Sequence, residues 1–266
     1  MNKLECEQKF SSEFKSTAYN LGATQSNIMR LLRSLDLVGW STHEESGKVD
    51  RKAFVRYGCG STNIFSKREL KDAERSAVSV LIDCSGSMGG RRLDTAQSVA
   101  IQIAKILNRA SVAFKITGFS GFQSGDGINT TGATSNAVFF TTEETELIEF
   151  KTWGESLQRA SAKMGSINQW GGGGTPDYSG VSLALEDLNR RSEQRKILFV
   201  ITDADGYTKA HMQYLQSLAD KLNVVLIAIG IGSTDVKDCF TNAEDVKRVD
   251  ELASATFNKL LKQLKV

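Results

Sequence analysis

Three oxygen-bearing side chains stand together immediately after an apolar segment of this chain. Asp83, Ser85 and Ser87 alternate with other residues directly behind the run 77–82, Ala-Val-Ser-Val-Leu-Ile. Such a run predicts a buried strand, and ligands of open α/β sheets collect where the strands end. A carboxylate and two hydroxyls are hard donors, and no imidazole or thiolate shares their alternate positions. We therefore interpret this segment as part of a site for Mg²⁺ rather than for zinc.

A second loop presents a further hydroxyl group. Four consecutive glycines at 171–174 precede Thr175 and Pro176. Glycine allows backbone angles that other residues avoid, and proline suits the first turn of a following helix. The pattern predicts a switch-like loop that presents Thr175 just ahead of a helix.

The third segment is another apolar strand that ends in a carboxylate. Residues 197–202 are followed by Asp203. If this strand lies next to the first one in a parallel sheet, Asp203 and Asp83 emerge at the same edge. Two carboxylates nearly neutralise a dication, and Mg²⁺ keeps water at its remaining positions. One position is then open to an oxygen from outside, such as the carboxylate of a partner's Asp or Glu.

The residues after the first loop carry positive charge. Arg91 and Arg92 stand at the predicted start of a helix, whose positive end opposes a cation nearby. The two aspartates must offset that effect. The arginines themselves are either a solvated helix start or contacts for acidic residues of a partner.

From residue 76 onward, apolar strands alternate with helical segments. This order predicts an α/β fold, a doubly wound, mainly parallel sheet with helices on both faces. Residues 118–141 predict a long loop or hairpin that leads to an edge strand containing Phe139 and Phe140. The predicted strands cover 77–83, 112–118, 196–202 and 223–230, and the predicted helices cover about 92–108, 177–190, 208–221 and 246–265.

Residues 1–75 predict a small helical N-terminal extension. Apolar residues at helical spacing cover 28–35, and a shorter helix is predicted over about 50–57. We find no strand alternation in this segment. The sequence thus divides into the extension, 1–75, and an α/β domain, 76–266.

Composition narrows the classes of function. Lys and Arg number 33 against 31 Asp and Glu, a net charge of +2, which argues against general nucleic-acid binding. No apolar run reaches the length of a membrane span, and the first residues are unlike a signal peptide, so we expect no membrane attachment. Four well-separated cysteines predict free thiols in a reducing cytoplasm. No Walker loop occurs, so any ATPase must be a partner.

In their order along the chain, Asp83-x-Ser85-x-Ser87, Thr175 and Asp203 resemble the metal-ion-dependent adhesion site (MIDAS) of von Willebrand factor A domains. The resemblance covers the whole predicted α/β domain and implies a Rossmann-like fold. It implies that the two serines bind Mg²⁺ directly, that Thr175 binds directly or through water, and that the two aspartates act largely through water. Mn²⁺ and Ca²⁺ are the alternative ions.

A narrower resemblance rests on residues 83–88, 174–178 and 200–206, with 47–51 and 63–65 upstream. These segments resemble the C-terminal half of the CobT-type subunit of aerobic cobaltochelatase. That family works with an AAA+ ATPase subunit and a large subunit that inserts cobalt into a corrin ring, and short stand-alone relatives occur in bacteriophage genomes. The resemblance implies a non-catalytic, protein-binding subunit. Its partner, an AAA+ ATPase of the cobaltochelatase or MoxR-associated type, would supply an acidic residue to the metal.

Two other functions remain open at this point. Asp83, Asp203 and Asp205 have the composition of a Mg²⁺-dependent phosphoryl-transfer or nuclease site, although a turn with Gly206 is the simpler role for Asp205. These segments contain nothing that resembles a nucleophile with a positioned base. A structural or adhesive phage component is the other alternative, and it predicts self-association or association with a particle.

Overall fold

The protein is described from a computed structural model, which covers most of the chain after residue 75 and parts of the segment before it. The predicted helices over 28–35 and 50–57, and all but the first residue of the one over 246–265, fall outside the described residues. The described residues are 2–16, 38–44, 46–49, 64–70, 76–121, 139–142, 145–233 and 235–246.

A seven-stranded sheet forms the centre of the fold. The strands of the molecule are β1 (Val38–Glu44), β2 (Lys48–Val49), β3 (Phe65–Leu70), β4 (Ser76–Asp83), β5 (Ala113–Gly121), β6 (Phe139–Thr142), β7 (Thr145–Lys151), β8 (Arg195–Thr202), β9 (Val224–Ile231) and β10 (Ala243–Val246). The order in this sheet is β10-β9-β8-β4-β5-β7-β6. Its first five members are parallel, β7 pairs antiparallel with β5, and β6 pairs antiparallel with β7. The predicted edge strand is therefore confirmed as β6.

Helices cover both faces of this sheet. They are α1 (Lys3–Ser16), α2 (Arg91–Arg109), α3 (Leu157–Gly165), α4 (Asp177–Asn189), α5 (Lys209–Lys221) and the short α6 (Val236–Cys239). Of the described helices, none combines the length and the apolar character that crossing a membrane requires.

Side chains of β4 show how the two faces are filled. Val78, Val80 and Ile82 belong to a core shared with α2 and α3. Ala77 and Leu81, at the alternate positions, belong to a second core with α4 and α5. Since successive side chains of a strand point to opposite faces, a strand buried on both sides is apolar at nearly every position, with buried Ser79 as the exception within 77–82. The predicted doubly wound fold is confirmed.

The N-terminal segment contains strands that the sequence analysis did not predict. Its helix α1 packs against the large domain, with Phe10 in the core shared with α2. Strands β1, β3 and β2 form a separate three-stranded antiparallel sheet. The prediction of helices and turns alone is therefore wrong over 38–44, 48–49 and 65–70. Val38, Trp40 and Thr42 do form a period of two, but over so short a stretch that only pairing with β3 makes it a strand.

Two central strands position the candidate site. The parallel register of β4 and β8 pairs Ile82 with Ile201. Asp83 and Thr202 are the next residues on the two strands, and Asp203 follows directly. Both carboxylates therefore leave the sheet at the same edge, as predicted.

Candidate metal centre

Asp83 is held at the end of β4 by hydrogen bonds to both of its carboxylate oxygens. Its Oδ1 accepts from the Ser85 backbone N–H at 2.9 Å, and its Oδ2 accepts from the Thr202 hydroxyl at 2.7 Å. The side chain is completely buried. Burial raises the pKa of Asp83, and the hydrogen bonds from Ser85 and Thr202 oppose that rise. The carboxylate is thus fixed in position, and a nearby cation would favour its charged form.

The two predicted serines form a continuous chain of oxygen atoms with the second aspartate. Ser85 Oγ lies 3.1 Å from Ser87 Oγ. Ser87 Oγ in turn donates to Asp203 Oδ1 at 3.2 Å. Ser85 and Asp203 are buried and Ser87 is partly buried. The first and third loops therefore bring their oxygens into one cluster.

Asp203 also receives two contacts from neighbouring residues. The Asp205 backbone N–H donates to its Oδ1 at 3.1 Å, while the Asp205 side chain is exposed in a turn where Gly206 has φ +78°. Arg92 donates through Nη1 to Asp203 Oδ2 at 2.7 Å and to the Ser87 carbonyl at 3.0 Å. The guanidinium at the start of α2 is thus bound to the site itself, an arrangement that sequence reasoning missed.

The glycine loop is fastened to the first loop and to the end of β5. Gly172 donates to the Cys84 carbonyl at 2.9 Å, and the Gly86 N–H donates to the Gly173 carbonyl at 3.0 Å. Gly173 has φ +77°, and a Cβ there would approach the Gly121 carbonyl to 2.2 Å. A residue with a side chain does not fit at this position, so glycine is required for the close approach of the two loops.

Thr175 completes the set of five predicted residues. A Cβ built on Gly206 would lie 3.7 Å from Thr175 Oγ1, so this hydroxyl adjoins the loop that follows Asp203. The structure therefore places Asp83, Ser85, Ser87 and Asp203 in one hydrogen-bonded cluster and Thr175 on the adjoining loop.

Two further residues lie beside the first aspartate. Thr202, the last residue of β8, supplies the hydroxyl that bonds Asp83. The phenol of Tyr207 is buried nearby, and its burial, together with the charge of Asp83, raises the pKa of Tyr207 well above its ordinary value. A polar residue at the end of an otherwise apolar strand, as in Val-Ile-Thr-Asp at 200–203, is the signal that points to Thr202. Tyr207 has no comparable signal.

The donor set limits the kind of ion that the site can bind. Among the described residues, no three His, Cys, Asp or Glu side chains form a group able to hold a metal. A cation here must therefore be held by serine and threonine hydroxyls together with aspartate. Such all-oxygen sets suit hard divalent ions.

Known structures share the architecture of the α/β domain. Proximal thread matrix protein 1 from the mussel byssus, solved with a zinc-occupied MIDAS motif, has a TM-score of 0.50 and 14% identity over 71% of this chain and 46% of its own. BatB from Bacteroides thetaiotaomicron has the same TM-score and identity over 72% of this chain and 100% of its own. The pilus adhesin SpaC from Lactobacillus rhamnosus GG also has a TM-score of 0.50 and 14% identity, over 73% of this chain and 30% of its own.

These likenesses concern the fold alone, and this chain spans less than half of the mussel and Lactobacillus proteins. The sequence profile of one family, described as the cobalamin biosynthesis protein CobT VWA domain, matches residues 64–265. That match contains all three loops of the candidate metal centre and the whole seven-stranded sheet. The chain therefore belongs to the family of the CobT von Willebrand A domain.

Proposed function

We propose that this protein is a Mg²⁺-dependent protein-binding subunit that recognises an acidic side chain of its partner. The observation that carries the proposal is the convergence of Asp83, Ser85, Ser87 and Asp203 at one sheet edge, with Thr175 on the adjoining loop. Ser85, Ser87 and Thr175 would hold the ion by their hydroxyls. The two aspartates would balance its charge.

Magnesium fits the spacing of the hydroxyls. Ligands at neighbouring corners of a Mg²⁺ octahedron, each about 2.0–2.1 Å from the ion, are about 2.9 Å apart. Ser85 Oγ and Ser87 Oγ are separated by 3.1 Å, so only a small adjustment is needed. Protein ligands that do not fill the octahedron leave a position for an outside oxygen, and a carboxylate is the hard donor that a partner protein can supply.

The placement of Asp205 favours binding over catalysis. A phosphoryl-transfer or nuclease site would use this carboxylate as a third ligand. Instead the Asp205 backbone N–H contacts Asp203, and its side chain is exposed in the turn before Gly206. We therefore propose a non-catalytic role.

We propose the nature of the partner by analogy with the family. By resemblance to the CobT-type subunit of cobaltochelatase, the partner is an AAA+ ATPase of the cobaltochelatase or MoxR-associated type, with this protein acting beside it in the cytoplasm. The lack of a Walker loop in this chain fits a division of labour in which the ATPase is a separate protein.

Binding of the AAA+ ATPase from the same genome tests the proposal. Wild-type protein immobilised on a sensor should bind that ATPase in Mg²⁺ and release it in EDTA. Ser85→Ala removes a hydroxyl of the ion without removing a buried charge, so it should abolish Mg²⁺-dependent binding while leaving thermal stability in EDTA nearly unchanged. Ser161→Ala, on α3, is the matched control and should bind normally. Full binding in EDTA would refute a metal-dependent mode.

A further inference from the structure

An open groove lies beside the candidate metal centre. Its volume is about 390 Å³, and Tyr214 of α5 extends its aromatic wall through contact with Tyr178. Thr175 lines the groove and also belongs to the proposed metal set, so the two features are continuous. We refer to the following residues as the tyrosine groove: Thr175, Pro176, Asp177, Tyr178, Ser179 and His211, together with Tyr214.

The tyrosines of this groove are unusually exposed for their size. Tyr178 is 38% exposed and Tyr214 is 57% exposed, with ring centroids 6.0 Å apart. Among the residues whose exposure the structure describes, only Leu4 and Val49 are other large hydrophobic side chains exposed to this extent, and both lie in the N-terminal segment. Clustered exposed tyrosines beside a binding site are typical of protein interfaces, where they act as anchors.

Asp177, the carboxylate of the groove, is already paired, and His211 lies beside it. Asp177 is buried, and its carboxylate accepts from the Tyr178 N–H at 2.7 Å and the Thr208 N–H at 2.6 Å. Its Oδ1 also lies 3.2 Å from His211 Nδ1, and the His211 ring is packed edge-on against Tyr178 at 5.5 Å. What the groove offers a ligand is therefore aromatic surface rather than an unpaired carboxylate.

Charged residues in the first turns of the neighbouring helices determine which charge a ligand at this edge can carry. α2 begins with exposed Arg91 and Arg92, and α5 begins with exposed Lys209. These residues follow the carboxyl ends of β4 and β8, at the edge that carries the metal centre. Two exposed acids lie among them: Asp205 in the loop before α5, and Asp94 in the first turn of α2, which is already paired with Lys9 at 3.1 Å. Such an edge attracts an acidic segment and repels a basic one.

We propose that the partner segment carries an aromatic side chain close to its metal-binding carboxylate, and that the tyrosine groove receives this ring. The inference rests on the proposed function. Thr175 precedes α4 and Tyr178 is the second residue of the helix; being three residues apart, they are separated by about 5–10 Å, between helical and extended spacing. An extended peptide advances about 3.3 Å per residue, so the ring stands about two residues from the carboxylate.

Three synthetic peptides test this inference. Ac-Gly-Phe-Gly-Asp-Gly-Phe-Gly carries the acid with a ring two residues away in either chain direction. Ac-Gly-Ser-Gly-Asp-Gly-Ser-Gly keeps only the acid, and Ac-Gly-Phe-Gly-Asn-Gly-Phe-Gly keeps only the rings. All three peptides are amidated at the C-terminus, so that Asp supplies the only carboxylate. In Mg²⁺, calorimetric or NMR titration should give about tenfold tighter binding for the first peptide than for the second, since an aromatic anchor contributes upwards of 1 kcal/mol. The third should not bind.

Substitutions of the two tyrosines test whether the ring-dependent gain in peptide affinity arises in the groove. Tyr178→Ser with Tyr214→Ser should reduce the affinity for the first peptide to that for the acid-only peptide. Tyr178→Phe with Tyr214→Phe keeps the rings and should preserve the difference. Both pairs alter partly exposed side chains, and unchanged thermal unfolding confirms an intact fold.

The outcomes separate this inference from the proposed function. If the two acidic peptides bind with equal affinity in Mg²⁺ and neither binds in EDTA, the groove has no role in recognition and the metal-dependent function stands. If neither acidic peptide binds in Mg²⁺, both the groove and the metal-dependent recognition of carboxylates are wrong. If the ring-dependent gain persists in the serine variant, the aromatic side chain binds elsewhere and the inference is overturned.

Discussion

Replacing Arg92 with glutamine should make the protein bind Mg²⁺ more tightly. The Arg92 guanidinium lies 2.7 Å from Asp203 Oδ2 and neutralises a carboxylate that is 1% exposed. A cation entering the site competes with this arginine for the same charge. Arg92 also stands in the first turn of α2, where the helix dipole disfavours a positive side chain. The ion pair is thus the main stabilising contact that the substitution removes.

The magnitude follows from the exposure of the pair. Exposed ion pairs contribute about 0.2–1 kcal/mol, and the Arg92 side chain is 43% exposed, so water screens it strongly. Its buried partner moves the value toward the upper end, about 1 kcal/mol. Losing that competing interaction corresponds to about fivefold higher affinity for Mg²⁺.

Calorimetric titration of chelator-treated protein with MgCl₂ measures this change directly. Arg91→Gln is the matched control, because Arg91 is exposed in the same helical turn and its substitution removes the same net charge. We expect the control to resemble wild type. Equal or weaker Mg²⁺ binding by the Arg92 variant would refute the competition and would mean that the arginine instead orients Asp203 for the ion.

Three further changes test the architecture around the site. Thr202→Val removes the 2.7 Å hydrogen bond to buried Asp83 and should lower the free energy of unfolding by about 1–3 kcal/mol in urea denaturation; no loss would mean that Asp83 is supported otherwise. Gly173→Ala forces a Cβ to within 2.2 Å of the carbonyl at the end of β5 and should weaken both folding and Mg²⁺ binding, whereas Gly154→Ala, with open space around it, should not. Burial lowers the pKa of Lys151 to about 8, so the unfolded chain binds more protons between pH 8 and about 10.5. The stability of wild type relative to Lys151→Met should then rise with pH across this window, by up to about 3 kcal/mol, and a pH-independent difference in denaturation would contradict it.

The strands that carry the site were predictable because their burial is complete. Residues 77–82 and 197–202 are buried on both faces of the sheet, so neither segment contains an exposed polar position to interrupt the apolar run. The carboxylates that follow them mark the ends. Both strands were predicted to within a residue of their observed bounds, and the predicted site residues came together because both strand ends meet at one edge.

Some elements at the periphery of the fold were not predicted, because contacts with distant parts of the chain determine their structure. β7 contains Glu146 and Glu149, which obscure its pattern, and the second of these is compensated by an ion pair with Lys115 at 2.8 Å. α1 packs closely on α3, where a Cβ on Gly165 would approach the Cys6 carbonyl to 2.0 Å. Neither the ion pair nor the close approach of two helices can be inferred from local sequence.

Arg92 shows how one such distant contact changes the interpretation of the site. The sequence predicts two aspartates against a dication, a nearly neutral centre. Because the arginine bonds Asp203 from 111 residues away, the described groups sum to one negative charge before a divalent ion binds and one positive charge afterwards. A site whose charge changes sign on metal loading discriminates against acidic partners without the ion and attracts them with it. The metal would then promote partner binding through charge as well as through coordination. The contribution from charge should weaken as the salt concentration is raised.

The tyrosine groove should be far less sensitive to salt, because its contacts are aromatic. The part of the peptide affinity that depends on the ring should therefore persist at an ionic strength that suppresses the electrostatic contribution of the carboxylate.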